Sequence, residues 1–208
     1  MNPFFLGTAE RRIFGIHEPA APTSGRVRAA VLCYPWGNEY VCSHRSMRYL
    51  AARLAKIGYH TLRFDYFGTG DSGGDESQTD AAGMESDVEA AIESVSDIAG
   101  TSQVALIGLR VGANIAARVA TRLPERVEAL VLWDPIVSGD DGLPRQALPP
   151  RSLVLVTRRP ESPEALRRME TRFLPVEIVE APCPWIESAT ITGVLPVRPI
   201  QRIEEWLR

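Results

Sequence analysis

Two short stretches carry residue types that could do chemistry. The first is Phe-Asp-Tyr-Phe-Gly-Thr-Gly-Asp-Ser-Gly-Gly-Asp-Glu-Ser, residues 64–77, with Ser72 between glycines. A serine hydroxyl becomes a nucleophile when a base, most often histidine, stands within hydrogen-bond reach. The chain has His17, His44 and His60 and no histidine after them. The second stretch is Gly108-Leu109-Arg110-Val111-Gly112, two glycines framing an arginine. A guanidinium offers donors only and stays protonated, so it cannot attack; it can hold a carboxylate or the oxyanion of an acyl group. Cys42 and His44, two residues apart on a helix, would not face each other. His44 is therefore retained as a single general acid or base, not as half of a dyad.

The elements that must position these residues follow from hydrophobic patterning. Residues 26–35, 59–65, 103–109, 127–135 and 152–158 are short apolar, β-branched runs of the kind buried in a parallel sheet. Between them lie helical patterns. Residues 46–58 place Met47, Leu50, Leu54 and Ile57 three or four apart and stop at Gly58; residues 85–100 repeat the arrangement with Val88, Ile92 and Val95; residues 113–124 follow the third strand. The alternation predicts an α/β fold with a doubly wound, mostly parallel sheet in one domain, 1–208. The N-terminal segment adds one or two edge strands, residues 175–182 a last core strand, and residues 199–208 a closing helix. Residues 139–150, rich in Gly and Pro, stand where a helix or a lid would be expected, which implies a minimal cap or none.

Bulk properties narrow the setting. With 208 residues and a net charge of −3, the chain supports a sizeable core but no basic face for nucleic acid or an anionic membrane. Lys56 is the only lysine, an Arg- and Ala-rich bias of the kind GC-rich bacterial genomes produce. The opening residues carry no basic leader and apolar run, and no window is long and apolar enough to span a membrane, so a cytoplasmic location is expected. Cys33, Cys42 and Cys183 are odd in number and widely spaced, which argues against a disulfide framework or a zinc site. No cofactor or metal is expected.

Gly-Asp-Ser-Gly-Gly also surrounds the nucleophile of trypsin-like proteases, but those are β-barrels needing a matched upstream His and Asp, which this chain lacks. The order of motifs instead resembles the α/β-hydrolase superfamily. Asp65, Gly68, Gly70 and Ser72 match its D-x-x-G-x-G-x-S loop, in which the serine is structural. Residues 34–37, Tyr-Pro-Trp-Gly, occupy the place of the oxyanion loop. Gly108-Leu109-Arg110-Val111-Gly112 occupies the nucleophile elbow, G-x-S-x-G, with arginine for serine. In this last respect the chain looks closest to the bacterial proteins associated with exosortase and exopolysaccharide systems.

The resemblance implies a fold whose triad is absent here. Where the acid would fall the chain has Arg158-Arg159-Pro160-Glu161, and where the histidine would fall it has Cys183-Pro184-Trp185. At the start of a helix Arg110 requires an anionic partner, expected to be Asp134, with Asp65 and Glu39 as other candidates. Arg110, Asp134 and His44 are thus the candidate catalytic residues; Trp36, Val111, Tyr40, Asp65 and Glu39 are the candidates for binding substrate. Two functions compete. One is a serine-free enzyme acting on an ester, thioester or carbonyl compound, with Arg110 polarising or anchoring it. The other is an inert module that binds a small acyl or carboxylate ligand or a protein. In either case a carrier protein or a second copy is expected to cover the open cleft.

Overall fold

The computed structural model describes residues 1–23, 25–137, 148–158, 162–172, 175–186 and 194–208. Eight strands form one sheet: β1 (Asn2–Gly7), β2 (Arg12–Glu18), β3 (Arg28–Cys33), β4 (Tyr59–Phe64), β5 (Val104–Leu109), β6 (Val127–Trp133), β7 (Ser152–Val156) and β8 (Val176–Ile178). Their order is β1-β2-β4-β3-β5-β6-β7-β8. β1 pairs with β2 and β2 with β4 in antiparallel fashion; every other pairing is parallel.

The helices are α1 (Asn38–Lys56), α2 (Ala81–Ala99), α3 (Val111–Arg122), α4 (Pro163–Arg172) and α5 (Val197–Leu207). α1 meets α5, and α2 meets α3. The central strands are covered on both sides, and all six residues of β5 are buried. That two-sided burial is why these strands read as continuous apolar runs and not as alternating ones. The doubly wound sheet expected from the sequence is present, and no described helix is long and apolar enough to cross a membrane.

Several boundaries differ from expectation for identifiable reasons. α1 begins at Asn38, not at residue 46. Its first two turns bunch Tyr40, Val41 and Cys42 together and not at helical spacing, yet Ser43 is buried there, so tertiary contact selects a helical face that apolar spacing does not mark. α2 starts at Ala81 because the Asp80 side chain accepts the Gly83 N–H at 2.7 Å, and it ends at Gly100 in the left-handed region. α4 was not anticipated; Pro163 at its first position and the Ser162 hydroxyl accepting from Ala165 N at 3.1 Å are its start signals. β8 is a half-buried edge strand, not the core strand expected. No helix or strand occurs between β6 and β7 among the described residues, and 138–147 lie outside them.

Ser72 is structural. Its Oγ accepts from the Phe14 N–H at 2.8 Å and donates to the Asp65 carbonyl at 2.6 Å, fastening β2 to the end of β4.

A histidine pair joins β2 to β4 at the opposite end of the same strand pairing. His17 Nε2 and His60 Nδ1 are 3.0 Å apart with nearly parallel rings. Burial, and then the charge of His60, push the His17 pKa below 6.5, so the fold holds this ring neutral. Above 6.5 the contribution is complete; as pH falls from 6.5 through the lowered folded value, the unfolded chain takes up the proton first and stability is lost. Urea midpoints measured from about pH 7.5 to about 5.5 should fall, and His17→Gln should flatten that slope.

Candidate functional site

Arg110 follows β5 directly and has φ 56° and ψ −124°. Its N–H donates to the Trp133 carbonyl at 2.9 Å, and its own carbonyl accepts from the Ala113 N–H at 3.0 Å. Among the described residues Arg110 and Asp134 are the non-glycine positions with positive φ, at the ends of adjacent central strands. Such a conformation costs of order 1–3 kcal/mol and persists only where the surroundings impose it.

The flanking glycines show how it is imposed. A Cβ at Gly108 would lie 2.4 Å from Ala113 Cα, and one at Gly112 would lie 2.3 Å from the Tyr34 carbonyl oxygen. The turn and helix α3 are thus packed too closely, on β5 and on the end of β3, for a side chain at position 108 or 112.

The Arg110 side chain does not form the ion pair expected with Asp134. Its Nε donates to Glu39 Oε1 at 3.1 Å, while one terminal nitrogen reaches only the Asp134 backbone carbonyl, at 3.4 Å. The Asp134 carboxylate is turned inward instead. Oδ1 accepts from the Thr157 N–H at 2.6 Å, and Oδ2 accepts from Trp185 Nε1 at 3.0 Å with Cys183 Sγ at 3.6 Å. Asp134 is 4% exposed, and burial raises its pKa above the ordinary 3.8, partly offset by the bonds from Thr157 and Trp185 and by the Arg110 charge.

The physical reason for the correction is the backbone. With φ 46° at Asp134, the strand turns over and the carboxylate is occupied by buried donors, leaving Glu39 on the first turn of α1 as the anion Arg110 can reach. The side chains of Arg110 and Glu39 are 22% and 28% exposed, so the pair is accessible.

Trp185 therefore stands against Asp134 where the sequence led us to look for a histidine, and its indole is edge-on to the buried Trp133 ring at 5.0 Å between centroids. Glu161, the carboxylate in the stretch where the acid would fall, lies outside the described residues.

The remaining candidates fall into a second group. Tyr40 Oη donates to Asp65 Oδ1 at 2.7 Å, and Asp65 Oδ2 accepts from the Asp71 N–H at 3.0 Å. The His44 ring lies near Tyr34 and Tyr40, with centroids 6.0 and 6.2 Å away. Partial desolvation, and then the Arg63 charge, lower the His44 pKa from 6.5. Tyr40 is pushed up by burial and by its bond to Asp65.

His44, Tyr40 and Asp65 are thus grouped with Arg63, a residue that sequence reasoning passed over although it interrupts an apolar strand. Arg110, Glu39 and Asp134 form the elbow group, and no hydrogen bond or ion pair links His44 to them among the described residues. Trp36 and Tyr40 both line a cleft of about 240 Å³ that continues to Gly68, Gly70 and Glu76. Val111 is half-buried at the first turn of α3.

The cysteines offer no alternative nucleophile at the elbow. Burial pushes the Cys33 thiol up to about 12, Cys183 is held against Asp134, and Cys42 lies on α1 two residues from His44. No cluster of three or more His, Cys, Asp or Glu suited to a metal ion occurs among the described residues.

Comparison with known proteins adds a family and a fold. The family model for serine aminopeptidase, S33, matches residues 26–170. The crystal structure of an α/β serine hydrolase without a lid from Xanthomonas campestris superposes with a TM-score of 0.74 at 21% identity, over 100% of this chain and 93% of that one. An α/β serine hydrolase homologue from Coxiella burnetii gives 0.73 at 19% identity, over 99% and 95%. The esterase Est1E of Butyrivibrio proteoclasticus, solved with ferulic acid, gives 0.67 at 14% identity, over 97% and 95%. A search of curated protein sequences returned no match. At these identities the likeness carries the fold: an eight-stranded α/β-hydrolase sheet with its helices.

Proposed function

We propose, on the premise that this chain belongs to the serine aminopeptidase S33 family of α/β hydrolases, that it hydrolyses an acyl ester or thioester without a serine nucleophile. The observation that carries this reading is the Arg110–Glu39 pair, 3.1 Å apart and accessible, on an elbow whose strained backbone is retained. Arginine in place of serine rules out an acyl-enzyme at this position, so water must attack the substrate directly.

The chemistry assigned to the pair is simple. Arg110 donates hydrogen bonds to the acyl oxygen and stabilises the negative charge that develops there. Glu39 takes a proton from water as the water oxygen bonds to the acyl carbon; the bond to the leaving oxygen or sulfur then breaks, and the proton passes to that leaving group. The N–H groups of Trp36 and Val111 make no internal hydrogen bond among the described residues and can support the same oxyanion. The cleft beside Trp36 and Tyr40 would take the body of the acyl group. The Gly108-Leu109-Arg110-Val111-Gly112 elbow further supports placing the chain beside the exosortase- and exopolysaccharide-associated members.

A second reading is favoured by the Asp134 carboxylate, which is filled by Trp185 and Thr157 and so cannot serve a proton relay. In that reading the elbow binds a carboxylate ligand, which displaces Glu39 from Arg110, and no bond is broken.

Acyl thioesters and p-nitrophenyl esters followed by mass spectrometry decide between them. Turnover is expected in the wild type, reduced about 10²- to 10³-fold in Arg110→Ala and at least about 10²-fold in Glu39→Gln. Absent turnover, together with carboxylate binding that tightens in Glu39→Gln because the competing anion is gone, selects the binding module. Neither turnover nor carboxylate binding overturns both.

A further inference from the structure

A second charged site lies outside the elbow. Arg63, on β4, is 3% exposed. One terminal nitrogen donates to Tyr34 Oη at 3.2 Å, the other approaches the Met1 thioether at 3.7 Å, and Nε has no partner. Among the described residues no carboxylate comes within 4.0 Å of this guanidinium. Asp65, two residues further on and just past the end of β4, is the nearest anion in sequence, but Tyr40 Oη and the Asp71 N–H engage its two oxygens. A buried cation left with a phenol and a thioether is costly unless an anion completes its surroundings.

Space for one is present. Arg63, Tyr34, Tyr40, His44, Asp65 and Phe14 are among the residues lining a cavity of about 60 Å³. At roughly 10–15 Å³ per water, that volume holds about four to six waters, or a solute of three or four heavy atoms. Asp65 and Asp71 also line the cavity and disfavour a dianion. The flat rings of Tyr34 and Tyr40 and the planar fork of the guanidinium suit a planar monoanion.

We infer that this cavity is a binding site for a small monovalent carboxylate, held by Arg63 and the Tyr34 hydroxyl and bordered by His44. This site is separate from the Arg110–Glu39 pair and can be occupied whether or not the elbow turns over a substrate.

Formate is the probe, titrated into the Arg110→Ala protein at about pH 7.5 with ionic strength held by sodium fluoride. The readouts are the heat of binding and the NMR shift of the His44 ring C–H. A saturable shift of His44 is expected, weakened at least tenfold in Arg110→Ala/Arg63→Met. Arg110→Ala/Tyr34→Phe, which deletes one hydroxyl and keeps the charge, should weaken binding about three- to tenfold through loss of one hydrogen bond. An unsaturable response, or equal binding with Arg63→Met, overturns the site. Should Arg63→Met not fold, unchanged affinity in Tyr34→Phe overturns it equally.

Discussion

Replacing Gly112 with alanine is expected to remove at least about 3 kcal/mol of stability and to lower the melting temperature by roughly 10 °C, because overpacking against backbone cannot be relieved by a rotamer change. The added Cβ would meet the carbonyl oxygens of Tyr34 and Cys33 at 2.3 and 2.4 Å. Both belong to the end of β3 and the loop after it, so α3 would have to move off the sheet by about 1 Å to restore ordinary contact. The Arg110 elbow would move with it. Gly100→Ala is the control: that glycine has φ 67° with nothing within 4 Å, so it tests backbone strain alone and should cost about 1 kcal/mol. Calorimetric melts of both variants check the difference. Equal, small effects would mean that the helix sits less tightly on the sheet than the distances say.

Asp134→Ala is expected to cost about 3 kcal/mol. It leaves the Thr157 N–H and the Trp185 indole N–H, both buried, without their acceptor, and each such orphan costs about 1–3 kcal/mol. Removing a buried carboxylate returns part of that cost, so pH is the sharper test. Burial raises the Asp134 pKa above 3.8, which means the folded chain takes up this proton before the unfolded one does. The sign is opposite to that of an ion-paired aspartate. The stability of the wild type relative to Asp134→Ala should increase as pH falls through the raised folded value, and level off below 3.8. Denaturant unfolding of the two proteins, compared from neutral to acid pH, measures it. A relative loss on acidification would show that the donors around the carboxylate outweigh its burial.

Much of this was legible in the sequence and some was not, and the division follows the range of the interactions. Alternating apolar runs and helical periods determined the doubly wound sheet, because a strand buried on both faces has to be apolar throughout. The two glycines of 108–112 marked a tight strand-to-helix turn, and the lack of a histidine after His60 pointed away from an ordinary serine relay. What the sequence could not supply was which charges meet. The pairing of Arg110 with Glu39 spans 71 positions, that of Asp134 with Trp185 spans 51, and that of Arg63 with Tyr34 spans 29. Asp134 looked like Arg110's partner because it ends the adjacent strand; one positive φ turned its carboxylate into the core. α1 was longer than its apolar spacing showed, because Ser43 in the added N-terminal turns is buried by contact with the rest of the fold and not by its own hydrophobicity. Local pattern fixes which elements form, since each element's period is its own. Only the packed sheet decides which side chains share a pocket, since register and backbone turns bring distant residues within hydrogen-bond reach.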